Sequence, residues 1–303
     1  MKKILIIGAN GFTGRQILND LSACKQYKVT GCSLHPDILP NNAEDYRFVE
    51  TDIRNEADVK RLFKEVQPDV IINCSALSVP DYCETHHEEA YLTNVTAVGQ
   101  LADLCEEYKS RFIHLSTDFV FDGKINKAAG LLYTEEDLPA PVNYYGYTKW
   151  KGEERVAETC NSYAIVRVEI VYGKALPGQH GNIVQLVMNR LKAGQEIRVV
   201  SDQWRTPTYV GDVSDGVQRL IAHTTNGIFH ICGDECMSIA EIAYQVADYM
   251  GLDHSFIHPV TTEEMNETTP RPRFSGMSID KARTMLGYEP QKLKEVLANW
   301  EHL

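Results

Sequence analysis

The opening of the chain, "KILIIGANGFTG" at residues 3–14, constrains the fold more than any other stretch. An aliphatic run breaks off at a glycine, and Gly8, Gly11 and Gly14 follow at three-residue spacing in front of an amphipathic pattern, "GRQILNDLSAC". A strand that turns through glycines directly into a helix reads as the first unit of a parallel α/β sheet. Further strand candidates follow at "KVTGCSL" (28–34), "RFVETD" (47–52), "DVIINCSA" (69–76), "RFIHLST" (111–117) and "YAIVRVEIVYG" (163–173). Between them lie helical patterns such as "NEADVKRLFKEV", "NVTAVGQLADLCEEY" and "YGYTKWKGEERVAE". The strands are continuously apolar, as expected where helices cover both faces of a sheet. The predicted class is therefore α/β: a doubly wound, Rossmann-like parallel sheet with a smaller, mostly helical C-terminal substrate lobe.

After Gly173 the rhythm becomes irregular. A helix is expected at 182–194, a strand at "IRVV", a Pro-marked turn at "RTPTYV", a helix from Asp212 and a strand at "GIFHICG". The division predicted is a cofactor domain over 1–173 to which 206–232 returns, with 174–205 and 233–303 forming the substrate lobe at the sheet's carboxyl edge, where open α/β folds bind their ligands. A chain of 303 residues with 43% hydrophobic and 24% charged content supports a sizeable core. Its net charge of -12 argues against nucleic acid or an anionic membrane as partner. A small anionic ligand would need its own arginines or backbone N–H groups. No stretch is long enough to span a bilayer, and the apolar run after the N-terminus meets glycines too soon for a signal peptide. Eight scattered cysteines without a CxxC read as reduced thiols in a cytoplasm. "CGDEC" at 232–236 lacks companion ligands and the ten histidines show no HExxH spacing, so no metal site is expected.

The glycine loop, residues Gly8, Asn10, Gly11, Phe12, Thr13 and Gly14, suits a dinucleotide: the glycines allow close approach of a pyrophosphate, whose charge meets the helix N-terminus. At the end of the second strand, where an acidic residue would bind the ribose hydroxyls of NAD, stand Ser33 and His35, with no acid before Asp37. That favours NADP(H) and leaves NAD(H) open; Arg15 is a distant helper. Asp52 and Ile53, after the third strand, suit the adenine edge, and a helix cap explains Asp52 nearly as well.

The segment "NYYGYTKWKGE" at 143–153 holds two Tyr–Lys pairs at i, i+4 spacing, Tyr145 with Lys149 and Tyr147 with Lys151. On a helix each pair shares a face, roughly 6 Å apart along the axis. An ammonium beside a phenol stabilises the phenolate and brings a pKa near ~10 towards neutrality. Spacing alone does not choose between the pairs. "HLSTDFVFDG" adds hydroxyls at Ser116 and Thr117, then Asp118, at the carboxyl end of the fifth strand.

With "STDFVFDG", "YGYTKWKGE", "DQWRTPT" and "RPRFS" in this order, the chain resembles the extended short-chain dehydrogenase/reductases, and among them the dTDP-4-dehydrorhamnose reductases. Their motifs read STDYVFDG, YGxTKxxGE, DQxGxPT and RPxxS, and the likeness runs from Gly8 to beyond Gly287. The resemblance aligns Tyr145 and Lys149 with the catalytic Tyr-x-x-x-Lys. It implies Tyr145 as proton donor to the oxygen of a keto carbon receiving hydride, Thr117 polarising that oxygen, and Lys149 reaching the nicotinamide ribose. It also implies Cys74, Ser75, Ala76 and Asn94 at the cofactor, and Asp118, Val120, Phe121, Arg167, Asn182, Arg205 and Arg271 near a sugar nucleotide, guanidinium forks suiting its diphosphate. The implied substrate is a 4-keto-6-deoxy nucleotide sugar on the way to a polysaccharide, with a homodimer as an open assembly.

Two departures bear on the substrate. Where the reductases carry "RTSWVYG", this chain has "RVEIVYG", with Ile170 in place of the tryptophan and Glu169 beside it. Arg205 stands where "DQxGxPT" has a small residue. Alternatives are another nucleotide-sugar oxidoreductase or an epimerase of the same group, and a non-catalytic subunit like the regulatory subunit of methionine adenosyltransferase. Dehydration is disfavoured because Asp118 is followed by Phe119 rather than a glutamate.

Overall fold

The structure, a computed structural model, describes residues 1–39, 46–125 and 130–303. Seven strands form one parallel sheet: β1 (Lys2–Ile7), β2 (Tyr27–Ser33), β3 (Arg47–Glu50), β4 (Val70–Asn73), β5 (Arg111–Thr117), β6 (Tyr163–Val168) and β7 (Gly227–His230), in the order β7-β6-β5-β4-β1-β2-β3. The strand order reverses beside β1, whose Ile4 pairs with Val29 of β2 on one side and Val70 of β4 on the other. Helices α1 (Phe12–Ala23), α2 (Glu56–Val66), α3 (Ala97–Tyr108) and α4 (Tyr144–Thr159) follow β1, β3, β4 and β5, respectively. After β6 come α5 (Ile183–Lys192), α6 (Val210–Ala222), which leads into β7, and α7 (Ile239–Met250).

The two-residue period of β1 shows why its strands are apolar throughout. Ile4 and Ile6 enter a core with Ile17, Leu18 and Leu21 of α1 and Val213, Val217 and Leu220 of α6. Leu5 and Ile7 enter the opposite core with Val59, Leu62 and Phe63 of α2 and Leu101 and Cys105 of α3. Both alternating sets are thus buried.

A further core joins α5 and α7 through Val184, Val187, Met188, Ile242 and Val246, closed by Leu293, Val296 and Trp300. Three two-stranded pairings stitch this region together: Ile197–Val200 with Ile257–Val260, Trp204–Arg205 with Met237–Ser238, and Val171–Tyr172 with Thr208–Tyr209. The segment around 277–288 does not join it, contrary to the expectation that 233–303 belongs wholly to a substrate lobe. Met277, Ile279, Ala282 and Tyr288 pack with the core beneath α1 and α6. The expected long strand at 163–173 also breaks after Val168, because Ile170 adopts φ +36°, a conformation that β-branched residues rarely take.

Candidate active site

The carboxyl ends of β1 to β4 open onto a crevice of about 210 Å³ lined by Gly8, Ser33, Asp52, Ile53, Ser75 and Ala76, together with Leu34, Thr51, Arg54, Leu77, Glu89 and Thr93. Gly8 has φ +78°, and a Cβ there would meet the backbone nitrogen of Ser75 at 2.8 Å. Only glycine lets the turns after β1 and β4 approach this closely. Gly11 is the N-cap of α1 and offers no side-chain cap, so the N–H groups of the turn formed by Phe12, Thr13 and Gly14 carry the helix's positive end without a protein acceptor at the cap. The chemistry of this set, a glycine turn, a helix N-terminus and small residues at strand ends, fits a dinucleotide.

Several expected cofactor residues are tied into the scaffold. Asn10 donates to the carbonyls of His35 and Pro36 and accepts from Arg15, tying the glycine loop to the chain after β2. His35 thereby contributes its carbonyl to this tie. Arg15 is spent as well: it pairs with Asp37 at 2.5 Å and donates to Tyr46 at 3.1 Å. It is buried and does not line the crevice. Arg54, overlooked in the sequence although it directly follows Ile53, is the cation that lines the crevice; it pairs with Asp52 at 2.8 Å and Glu89 at 3.3 Å. Hydrogen bonds from Arg54 hold the Asp52 carboxyl below its ordinary pKa. Asn94 lies in a π-helical turn, Leu92–Thr96, and is fully buried. Its amide accepts from Leu77 N and donates to Leu77 O and Thr148 Oγ1, which fastens the loop after β4 to α4.

Helix α4 places the tyrosine and lysine. Asn143 caps it by accepting from Gly146 N at 2.8 Å, while its own amide donates to Pro270 O. A Cβ at Gly146 would come within 2.1 Å of the Phe119 carbonyl, so the glycine lets the first turn rest directly on the chain after β5. Tyr145, 8% exposed, thereby comes beside Thr117 on the lining of one cleft. Burial pushes the phenol's pKa up, the Thr117 hydroxyl lowers it, and the Asp118 charge raises it. Lys149, 2% exposed, donates to Leu115 O at 2.7 Å and stands 3.4 Å from His114 Nε2. Burial lowers it to about 8. The lysine is thus held against the sheet. His114 is a further residue the sequence did not flag: fully buried and held well below its usual pKa by burial and by Lys149, it joins Lys149 to Asn73, whose carbonyl oxygen accepts from Ser75 in the crevice. Cys74, pushed up to about 12 by burial, faces the lysine from the neighbouring strand end. Tyr147 and Lys151 lie on the outer side of α4, with Lys151 against the Trp150 ring at 4.2 Å.

Thr117, Asp118 and Tyr145 also line a second, larger cleft of about 560 Å³ between the sheet and the α5–α7 region. One wall is apolar, with Val168, Ile170, Ile183, Leu186, Val199 and Met265; Arg198, Gln203, Glu267 and Arg271 are polar members of the lining. Ser116 Oγ, buried and without a hydrogen-bond partner, belongs to the same lining. Of the residues expected at a sugar nucleotide, Asp118, Arg205 and Arg271 line the cleft. Arg271 pairs with Glu267 at 3.2 Å. Four others do not line it. Val120 and Phe121 are fully buried in the sheet's core. Arg167 forms a fork on Glu153, at 3.0 and 2.7 Å, with its guanidinium 5.0 Å from the Phe121 ring. Asn182 caps α5 and donates to Gly173 O. Val120 and Phe121 offer no polar side-chain group, Asn182 is engaged by the fold, and Arg167 is held on Glu153 with its Nη1 left without a hydrogen-bond partner.

The two departures from the reductase motifs meet in space. Arg205 Nε stands 3.6 Å from Asp118 and 3.7 Å from Glu169. The rest of its guanidinium donates to the carbonyls of Trp204, Pro272 and Arg273. Ile170 supplies apolar wall where the motif has an aromatic ring.

A model of the RmlD substrate-binding domain matches residues 1–301. The chain belongs to this family. Membership places it among oxidoreductases of the extended short-chain dehydrogenase/reductase group. Among its relatives, the spore coat polysaccharide biosynthesis protein SpsK of Bacillus subtilis is 32% identical over 99% of this chain and 97% of that protein. The probable low-salt glycan biosynthesis reductase Agl14 of Haloferax volcanii is 30% identical over 98% and 96%. The methionine adenosyltransferase 2 subunit beta of Xenopus laevis is 32% identical over 94% of this chain and 82% of that protein. The dTDP-4-dehydrorhamnose reductase of Bacillus anthracis, solved with NADP, superposes with a TM-score of 0.84 at 28% identity, covering 100% and 99% of the two chains. Among the described residues no helix is long and apolar enough to cross a membrane.

Proposed function

We propose that this protein reduces the keto carbon of a 4-keto-6-deoxy nucleotide sugar, with NADP(H) as the favoured cofactor, in the cytoplasmic synthesis of a deoxysugar for a polysaccharide. The observation that carries the reading is the contact between Thr117 and Tyr145 on the cleft lining, with Lys149 one helical turn along α4. When bound in the crevice, a nicotinamide dinucleotide supplies the hydride. Gly8 and the N-terminus of α1 receive its pyrophosphate, and Ser33 and Arg54 meet the ribose end, where Arg54 can share its charge with a 2'-phosphate. Tyr145 donates its phenolic proton to the oxygen of the keto carbon, and Thr117 shares that oxygen with it. Lys149, kept in place by Leu115 O, orients the nicotinamide ribose. Arg198 and Arg271 serve the diphosphate, and the apolar wall with Ile170 faces the deoxygenated edge of the sugar. In this reading residues 1–173 and 206–232 hold the cofactor, and 174–205 with the later segments bind the sugar.

The test is NADPH consumption by the purified protein with dTDP-4-keto-6-deoxy-L-mannose, with NADH as a parallel donor. Sugar-dependent oxidation that favours NADPH supports the reading. Firm cofactor binding without turnover on any keto sugar nucleotide would instead favour a non-catalytic subunit, the role suggested by its likeness to a methionine adenosyltransferase subunit.

A further inference from the structure

Beneath Thr117, two carboxyls and a guanidinium are closed off from solvent: Asp118 is 4% exposed, Glu169 1% and Arg205 3%. The Ser275 hydroxyl lies between the two acids, 2.5 Å from Asp118 Oδ2 and 2.7 Å from Glu169 Oε1. A hydroxyl owns a single hydrogen and can donate to one of them only. At such separations the other acid must be the donor, so one proton belongs to the pair. The remaining contacts leave it nowhere else to go. Glu169 Oε2 accepts from Thr206 N at 2.7 Å and from the Thr206 hydroxyl, and Asp118 Oδ1 accepts from the Thr117 hydroxyl at 3.0 Å. The charged and titratable groups facing the pair are Arg205, Cys232 on the Glu169 side and Tyr145 on the Asp118 side. Burial and the Asp118 charge push Glu169 up to about 8, which gives it the proton at neutral pH.

Two arrangements share this proton count. In one, Glu169 donates to Ser275, which donates to ionised Asp118; in the other, Asp118 donates to Ser275, which donates to ionised Glu169. They differ in where the negative charge lies. We propose that the pair exchanges between them during reduction: as negative charge develops on the oxygen next to Thr117 and Tyr145, the proton passes to Asp118 and the charge retreats to Glu169. The Glu169 Oε1–H and Ser275 Oγ–H bonds break while Ser275 Oγ–H and Asp118 Oδ2–H bonds form, with no proton or electron gained or lost. Once neutral, Asp118 accepts less strongly from Thr117, whose hydroxyl can then turn to the reacting oxygen. Glu169 and Ser275 are positioning residues in this scheme, which rests on the reductase reading for the oxygen it serves.

The experiment combines infrared spectroscopy of the whole protein with kinetics of Glu169→Gln and Ser275→Ala. At neutral pH the wild type should show the carbonyl stretch of a protonated carboxylic acid, shifted in D2O and missing from Glu169→Gln. With the keto sugar nucleotide and NADPH, both variants should lose about tenfold in kcat while KM stays within about twofold, and the double variant should lose no more than either alone. Absence of the band from the wild type, its survival in Glu169→Gln, or full kcat in a folded Ser275→Ala protein would each overturn the exchange. The two readings fail separately. A band present without sugar-dependent turnover strikes the reductase reading, and with it the use of the exchange, but keeps the shared proton; turnover without a band strikes the exchange alone.

Discussion

The reacting end of the cleft and its floor are built on opposite plans. Thr117, Tyr145 and Lys149 come from two adjoining elements, β5 and α4; Thr117 and Tyr145 line the cleft, and Lys149 is braced on Leu115 O. Asp118, Glu169, Arg205 and Ser275 converge from four segments and satisfy one another before any ligand arrives. The first arrangement is the short motif shared with the reductases, whereas the second contains Glu169 and Arg205, the positions at which this chain departs from those motifs. A charge introduced into a closed floor survives only if its opposite appears beside it. Arg205 finds that opposite in the single negative charge shared by Asp118 and Glu169, and its guanidinium is consequently consumed inside the protein.

The largest effect should come from breaking the floor. Arg205→Met removes the cation facing a buried acid pair and should cost about 3–5 kcal/mol of stability in urea unfolding. Restoring small residues at both positions, Arg205→Gly with Glu169→Ser, should recover more than half of the loss seen with Arg205→Gly alone; additive losses would mean that the two changes are independent. At the reacting end, Tyr145→Phe should lower turnover about 10²-fold or more with cofactor affinity and folding retained, which a floor variant would not reproduce. A smaller effect is expected at the crevice. Arg54→Ala should raise KM for NADPH about tenfold and leave NADH nearly unchanged, as steady-state kinetics with both donors will show.

A pH slope is expected as well. Because the folded Glu169 pKa is raised from 4.5 to about 8, its contribution to stability is complete below the unfolded value and is lost as pH rises through the folded one. Thermal unfolding of the wild type should therefore weaken relative to Glu169→Gln across that window. Parallel curves would place the proton elsewhere.

This contrast also explains what could be read before the fold was known. The sheet was legible because the inner strands β1, β4 and β5 are buried on both faces and 3.6-periodic helices lie between strands, and the glycine loop because Gly8 and Gly14 permit contacts that no other residue would. Spacing alone left two Tyr–Lys pairs open, and only the family motif separated them; burial now does so too, since Tyr145 faces Thr117 and Tyr147 is 37% exposed. The floor was hidden because Asp118 and Ser275 are 157 residues apart and Glu169 and Ser275 are 106 apart. No local period links them. Arginines misled for a related reason. Arg15, Arg167 and Arg205 looked available to phosphates by type, but each had a carboxylate partner supplied by a distant segment or a neighbouring helix. The π-turn holding Asn94 left no signature in hydrophobic spacing, because it shifts the helix by only a fraction of a turn.

The most direct test of the central claim follows the hydride itself. The protein would be incubated with NADPH carrying deuterium at the transferable position and with dTDP-4-keto-6-deoxy-L-mannose, and the product examined by NMR. Deuterium on the former keto carbon, formed by the wild type and nearly absent with Tyr145→Phe, is the predicted result. An unlabelled isomer of the sugar formed without net NADPH consumption would mark an epimerase, and unchanged sugar beside firmly bound cofactor would contradict catalysis at Tyr145 altogether.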